Sequence, residues 1–318
     1  MPPHIKQKIV SSADTVTKLV LRRSSKEYKT FVDKTQLFHA SIDLKLYVSF
    51  PMVAVVLEID EDHRTHLLFS ATEKGYSVEN KQTKAIKEVE GVSFIDAAMA
   101  QFVKTFKIRN ILLHTFCFHF GVSTQRWYQT SKRSILRKTG EALSSLNHKL
   151  PVIKFATQVD GNQDDVLQVL PYLEPGTLKV VYFKSCGEET VTVELDRVAE
   201  LPQWKMAQRF GLENVDITLP VEMWSHFLSA NIGFPELSED SLRPIIQGLI
   251  TLRTWEYFTI ICEDMDSQFL SAFLLPYRIN NPLSLVRKYQ IPIPNSRDLI
   301  DIAIKDEWIY LTNVRFGV

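Results

Sequence analysis

The first 33 residues carry apolar side chains at intervals of three or four, the spacing that marks one face of a helix. Three such sets follow one another: Ile5 and Ile9, then Val16, Leu19 and Val20, then Tyr28, Phe31 and Val32. The pattern therefore predicts three short amphipathic helices. So short a segment cannot bury all these faces in a core of its own, and we expect a further surface to cover them.

Residues 42–80 switch to short runs rich in β-forming residues, separated by turn-prone residues. The runs are 42–48, 52–59, 65–71 and 75–80, and together they predict a β-meander. A helix is predicted next, over 92–106. Phe94, Ala98 and Phe102 recur there at helical spacing behind Ser93, a residue type that caps helices.

From Leu150 onward, predicted strands and helices alternate, which implies parallel strands joined by crossovers. The strands are 152–159, 178–183, 215–219 and 257–261, and the helices are 164–173, 195–208 and 239–252, the last behind a Ser238 cap. The residues expected on these strands, most of them buried, are Val152, Phe155, Val180, Tyr182, Ile217 and Ile260. Because the spacing is irregular, the array is either an open sheet or an irregular solenoid resembling leucine-rich repeats.

The end of the chain has two alternating apolar runs that meet at Lys305 and Asp306, which predicts a closing hairpin. The whole pattern predicts the α/β class, α+β overall. A short helical N-terminal module comes first, a β-meander follows, and the strand–helix array comes last.

The composition is that of a globular protein long enough for two modules, with 318 residues, 45% hydrophobic and 23% charged. Its apolar runs are shorter than a membrane span requires. No apolar segment follows the start MPPHIKQK and the three cysteines are scattered, so we expect an intracellular protein, cytoplasmic or nuclear or both, with reduced thiols. The balance of 37 basic and 37 acidic residues argues against a polyanion binder, although the first 33 residues are basic enough to suit an acidic partner.

Spaced motifs for nucleotide, metal or acyl chemistry are missing from the sequence, so we expect no enzyme, no cofactor and no bound metal. His114, Cys117 and His119 are zinc-type residues, but on a strand His114 points away from the other two, and no fourth ligand accompanies them. Carboxylates within 58–62 and 263–266 are expected in solvated turns. The stretch 126–138, RWYQTSKRSILRK, is a candidate nucleic-acid patch, and a helix with a charged outer face explains it as well.

The N-terminal segment resembles an F-box. It begins Met-Pro, carries Ile5 and Ile9, and reaches LRRSSK at 21–26, where Ser24 stands at a position that is typically valine in that family. Glu27, three residues after Ser24, predicts a capping box for the third helix. The resemblance implies a helical module at 1–34 that docks on the Skp adaptor of cullin-RING ubiquitin ligases. The contact residues it implies are Pro2, Ile5, Ile9, Leu19, Val20 and Leu21.

The C-terminal half resembles the FTH domain of the large nematode F-box family. LPYLEPGTL at 170–178 and QWKMA at 203–207 resemble two sequence motifs of that family, and Pro202 stands where the second motif usually has glutamate. The tail at 291–311 is similar to that family's tail as well. The resemblance implies an FTH domain at 150–275, with the meander and helices at 35–149 before it. A C-terminal tail at 276–318 follows it.

The function implied by this resemblance is non-catalytic. The chain is expected to be the substrate-recognition subunit of a Skp-cullin-F-box ubiquitin ligase, which binds the adaptor through the F-box and a protein target through the FTH region. One alternative, favoured by Ser24, is a scaffold of the same family whose F-box has decayed and which acts outside the ligase. A second is that several of the six contact residues simply pack against the meander. No membrane partner is expected, and nucleic acid is disfavoured.

Overall fold

The fold is described from a computed structural model. It describes residues 2–13, 17–18, 21, 24–32, 42–49, 52–58, 64–106, 112–120, 126–252, 255–265, 274–279, 286–305 and 308–315. The chain divides into two compact units. Unit 1 comprises Met1–Gln158 and Asp164–Leu178, and unit 2 comprises Val159–Gln163 and Lys179–Val318. No helix of the described residues is long and apolar enough to cross a membrane.

Unit 1 combines helices with a seven-stranded mixed sheet. Its helices are α1 (Pro3–Ser12), α2 (Lys26–Val32), α3 (Phe94–Phe106), α4 (Arg126–Ser144), α5 (Asp164–Leu167) and a 3₁₀ turn (Leu170–Tyr172). Its strands are β1 (Ile42–Ser49), β2 (Met52–Glu58), β3 (Arg64–Ala71), β4 (Gly75–Asn80), β5 (Ile86–Glu90), β6 (Leu113–Phe120) and β7 (Val152–Val159). Strands β1 to β5 pair antiparallel in chain order, and β6 lies parallel to both β1 and β7.

The four strands of the predicted meander are confirmed, and β5 extends them. The core of this sheet is aromatic, because Phe102 of α3 packs on Phe116 and Phe118 of β6, with ring centroids 5.6 and 5.8 Å apart. Phe155 of β7 joins the same cluster. The helix predicted behind Ser93 is confirmed, and the Ser93 carbonyl accepts the Ala97 N–H at 3.0 Å.

Unit 2 contains strands with shorter helices between them. Its strands are β8 (Val180–Ser185), β9 (Val191–Val193), β10 (Arg209–Ile217), β11 (Ser229–Leu237), β12 (Tyr257–Met265), β13 (Arg287–Pro292), β14 (Leu299–Lys305) and β15 (Trp308–Val314). Its helices are α6 (Asp196–Ala199), α7 (Pro202–Lys205), α8 (Glu239–Leu252) and the 3₁₀ turns Val221–Met223 and Leu275–Tyr277.

The sheet of unit 2 is also mixed. Strands β8, β10, β11 and β12 are parallel in chain order, and β15, β14 and β13 extend them antiparallel. The parallel strands and the closing hairpin are confirmed, and all six residues expected on strands lie on strands. Val180 and Tyr182 are half-buried and the other four are buried. The described residues form an open mixed sheet here and show no repeating solenoid.

Two predicted helices are wrong in extent. Over 164–173 the chain forms only α5 and a 3₁₀ turn, and over 195–208 it forms α6 and α7, each four residues long. Pro171 and Pro202 disfavour a continuous helix in these segments, because proline has no N–H to donate inside a helix, although α8 accommodates Pro244. The prediction for 239–252 is confirmed as α8, which Ser238 precedes.

Candidate functional site

The two described N-terminal helices pack on each other around a small core. Val10 of α1 and Val32 of α2 are almost fully buried, and Leu21, Tyr28 and Phe31 pack against them. The face predicted for the third set, now α2, is thus covered within the segment, by Val10 of α1, which the opening pattern did not include.

A polar contact joins the same two helices at the surface. Lys6 forms an ion pair with Glu27, and its Nζ lies 5.9 Å from the centre of the Tyr28 ring. The charge and the ring face both favour the ammonium in this place, which fixes α1 against α2.

A second face of α1 is apolar and only partly covered by the described residues. Pro2 is exposed, and its carbonyl accepts the Ile5 N–H at 3.1 Å at the start of α1. Ile5 is 42% exposed and Ile9 is half-buried. Residues at positions 2, 5 and 9 share one helix face, so these three side chains form a continuous stripe beside the Val10 face. We call it the α1 stripe.

The remaining contact residues of the F-box expectation fall elsewhere. Leu21 is half-buried and packs against the small core, so its side chain supports the helices more than it faces solvent. Leu19 and Val20 lie outside the described residues. Their spacing therefore places Pro2, Ile5 and Ile9 on one face of α1, whereas Leu21 packs against the small core.

The capping box expected at Ser24 and Glu27 is wrong by one residue. Helix α2 begins at Lys26, and the Ser25 Oγ accepts the Tyr28 N–H at 3.2 Å, which makes Ser25 the N-cap. Ser24 instead donates its hydroxyl to the Leu21 carbonyl at 2.7 Å. Glu27 is thereby released to pair with Lys6.

The zinc-type residues on β6 have structural roles in the described part of the chain. His114 faces away from the other two and lies 3.4 Å from Asp43 Oδ1, whereas Cys117 Sγ lies 3.2 Å from His119 Nε2. Burial raises the pKa of Cys117 to about 12, so this thiol is not a nucleophile at neutral pH. Among the described residues no three potential ligands are grouped to hold a metal.

The described residues of the two carboxylate clusters lie on strands. Glu58 ends β2 and pairs with Lys45 at 3.3 Å. Glu263 and Asp264 lie within β12, so their expected position in a turn is wrong. Asp60, Glu61, Asp62 and Asp266 lie outside the described residues.

The basic stretch 126–138 forms the first part of α4, as its charged-face interpretation predicted. Arg137 pairs with Glu141 on the same helix, and Lys138 pairs with Asp96 of α3. Lys132 is fully buried and pairs with Asp165 of α5 at 2.6 Å. At least three of its five cations are therefore engaged within the chain.

The FTH-type motifs occupy turns and buried contacts of the fold. Gly176 has φ +83°, a left-handed conformation that favours glycine. Pro202 occupies the first position of α7, where a missing N–H costs nothing, so the departure from glutamate is compatible with the helix. Trp204 is buried against Phe210 and Phe227, and its Nε1 donates to the Met223 carbonyl at 2.7 Å.

A cavity of about 350 Å³ in unit 2 was missed by sequence reasoning. It opens where β10 bulges, because five steps of β10 from Gly211 to Asp216 match two steps of β11 from Asn231 to Gly233. Asn214 in this bulge has φ +54°. The isolated Gly211 and the Glu-Asn pair in β10 are the sequence signals of such a bulge.

Comparison with known proteins agrees with these motif positions. Residues 133–277 match the FTH domain, a match that begins within α4 and not at residue 150. A relative named F-box A protein 224, from Caenorhabditis elegans, is 23% identical over 265 residues, which cover 81% of this chain and 64% of the relative. No separate F-box is detected at the N-terminus. No solved structure matches the chain significantly. The chain thus carries an FTH domain at 133–277 and is distantly similar to F-box A protein 224.

Proposed function

We propose that this chain is the substrate-recognition subunit of a Skp-cullin-F-box ubiquitin ligase in the cytoplasm or the nucleus. Its N-terminal helices bind the Skp adaptor, and through it a cullin, and its FTH region binds a protein target. The observation that supports this most directly is the α1 stripe, an exposed apolar face on helices that already have a core of their own. The F-box in the relative's name supports it as well.

The mechanism in this proposal is proximity. Recruitment holds a target near a ubiquitin-loaded enzyme bound elsewhere in the ligase, which raises the effective concentration of the target's lysines. In this proposal the chain recruits the target and performs no bond chemistry itself.

The adaptor interface can be tested with paired substitutions. Ile5→Asp with Ile9→Asp places two carboxylates in the α1 stripe, and each unpaired charge in a dry interface costs several kcal/mol. We expect at least about a 100-fold loss of affinity for a purified Skp adaptor. Ile86→Asp is the matched control, because Ile86 is 68% exposed on β5 and outside the stripe. Thermal unfolding of all variants shows whether the loss is one of binding or of folding.

A second candidate is the scaffold of the same family that acts without the ligase. Ser24 at the valine position and the lack of a separate F-box match favour it. It takes precedence if the unmodified chain fails to bind any Skp adaptor at micromolar concentration. If Ile5→Asp with Ile9→Asp unfolds unit 1, these side chains belong to an internal core and the docking role is wrong.

A further inference from the structure

The sheet of unit 2 has one buried face and one accessible face. Buried and accessible residues alternate along β8, β12, β14 and β15, and the register places the accessible ones side by side. Tyr257, Trp308 and Tyr310 lie on this accessible face and are 49%, 37% and 42% exposed. Trp308 and Tyr310 stack with ring centroids 6.1 Å apart. Large exposed aromatic side chains on one face are typical of protein-binding surfaces.

The bulge cavity opens on the same face, and Trp308 forms part of its wall. Tyr182, Glu213, Asp216, Asn231, Ile261 and Trp308 are among its lining residues. Two glycines have no room for side chains: Gly233 of the lining, and Gly211, which precedes the lining residue Leu212. A Cβ on Gly211 would lie 2.7 Å from the Tyr182 ring, and one on Gly233 would lie 2.4 Å from Asp216 Oδ1. The Tyr182 ring therefore packs over Gly211, and the Asp216 carboxylate lies over Gly233.

The charged groups of the cavity are acidic. Glu213 is already engaged, because Lys184 and the Tyr182 hydroxyl donate to its two oxygens, which lowers the pKa of Glu213. Asp216 is the other carboxylate, and none of the described residues of the lining is cationic. The cavity thus favours a positively charged group.

An acceptor in the wall lacks a donor. Asn231 Nδ2 donates to the Leu212 carbonyl at 3.2 Å, which fixes the amide, while its buried Oδ1 has no hydrogen-bond partner among the described residues. Buried acceptors are nearly always paired in native proteins, so an unpaired one beside a cavity indicates a donor that binds there.

We propose that this cavity receives an arginine side chain of the protein target. The guanidinium would donate to the Asp216 carboxylate and to Asn231 Oδ1 and lie against the Trp308 indole. A planar guanidinium makes several such hydrogen bonds and stacks on an aromatic ring, which a lysine ammonium does less well. The proposal rests on the proposed function, because it names the target chemistry that the FTH region reads.

The test uses the full chain and a short probe, acetyl-Gly-Arg-Gly-amide. Its binding is followed by the indole N–H signals in ¹⁵N NMR, with Trp308 assigned from Trp308→Phe. We expect the Trp308 signal to shift with a dissociation constant of about 1 mM. The citrulline peptide has the same shape without the charge, and it should bind at least about tenfold more weakly, as should arginine to Asp216→Asn. Asp240→Asn, an exposed change on α8, should bind like the unmodified chain.

Three results would overturn the inference: equal binding of the arginine and citrulline peptides, unchanged binding by Asp216→Asn, or no shift of Trp308. Sedimentation that shows a dimer dispersed by Asp216→Asn would assign the arginine to a second copy and overturn the target half of the proposal. Peptide binding needs no adaptor and adaptor binding needs no cavity. Loss of adaptor binding with intact arginine binding therefore overturns the proposed function alone, and the reverse overturns only this inference.

Discussion

The buried ion pair of Lys132 and Asp165 holds one cation of the basic stretch 126–138 inside the fold, where nucleic acid does not reach it. Lys132 is fully buried and Asp165 is 5% exposed, and their charged atoms lie 2.6 Å apart. The Lys132 Nζ is also 5.7 Å from the centre of the Phe120 ring. Lys132→Met keeps the length of the side chain and removes its charge, so Asp165 is left buried without this partner.

The cost of that change follows from its burial. Removing one partner of a buried pair costs about 3–5 kcal/mol. A domain of this size loses about 2–4 °C of melting temperature per kcal/mol, so we expect a fall of roughly 6–20 °C for unit 1. Because an apolar replacement of both partners is often neutral or stabilising, Lys132→Met with Asp165→Leu should recover most of the loss.

The assay is thermal and urea unfolding followed by circular dichroism, with Arg137→Met as the matched control. Arg137 and Glu141 are exposed partners on the same helix, and their pair contributes at most about 0.5 kcal/mol. If Lys132→Met costs less than about 1 kcal/mol, or if the double variant is no more stable than the single one, the burial argument is refuted. Lys132 would then face solvent, and the stretch 126–138 would again be a candidate nucleic-acid patch.

Four further predictions concern other parts of the chain. Gly140→Ala should destabilise the protein by about 1–3 kcal/mol although alanine favours helices, because the new Cβ would lie 2.3 Å from the Gln168 carbonyl oxygen. Gly248→Ala, whose Cβ would lie 3.6 Å from Val221, should stabilise it by up to about 1 kcal/mol in the same unfolding measurement. Native labelling with a thiol reagent at pH 8 should modify half-buried Cys186 first and Cys117 and Cys262 only on unfolding, as read by mass spectrometry. Burial lowers the pKa of His226 and keeps its ring neutral, with Nε2 donating to the Trp204 carbonyl at 3.0 Å. As the pH falls, the unfolded chain takes up a proton at this histidine before the folded chain does, so the stability should fall below pH 6.5. His226→Gln should flatten this dependence of the melting temperature on pH.

Sequence analysis located best the elements whose residues follow a regular strand or helix pattern. Strands 75–80 and 152–159 and the helix 239–252 agree with the structure to the residue, because their β-forming runs, or their apolar residues at helical spacing, stand out from the sequence around them. Strand β5 was missed for the opposite reason. Its sequence, IKEVE, is mostly exposed at the edge of its sheet, where charged residues are favoured and the apolar signal is weak.

Strand β10 shows a different limit. It begins at Arg209, six residues before the predicted start, because the bulge from Gly211 to Asp216 interrupts the alternation that a strand pattern requires. The same bulge creates the cavity. Asp216, Asn231 and Trp308 are far apart in sequence and meet only through the register of four strands, so no local pattern could predict the site. The α1 stripe is local to one helix: the spacing of Ile5 and Ile9 was sufficient to predict their shared face, and the F-box resemblance added Pro2.

The α1 stripe and the bulge cavity lie in different units, and each unit has a core of its own. Substitutions at sites that share no partners add within about 0.3–0.5 kcal/mol. A chain with Ile5→Asp, Ile9→Asp and Asp216→Asn should therefore lose adaptor affinity as much as the stripe variant does and arginine affinity as much as the cavity variant does. A recruitment subunit requires such independent sites, because its adaptor site must bind one constant partner while its target site can change to bind a different protein. If the losses prove strongly coupled, one surface supports the other, and adaptor and target binding could not be assigned to separate parts of the chain.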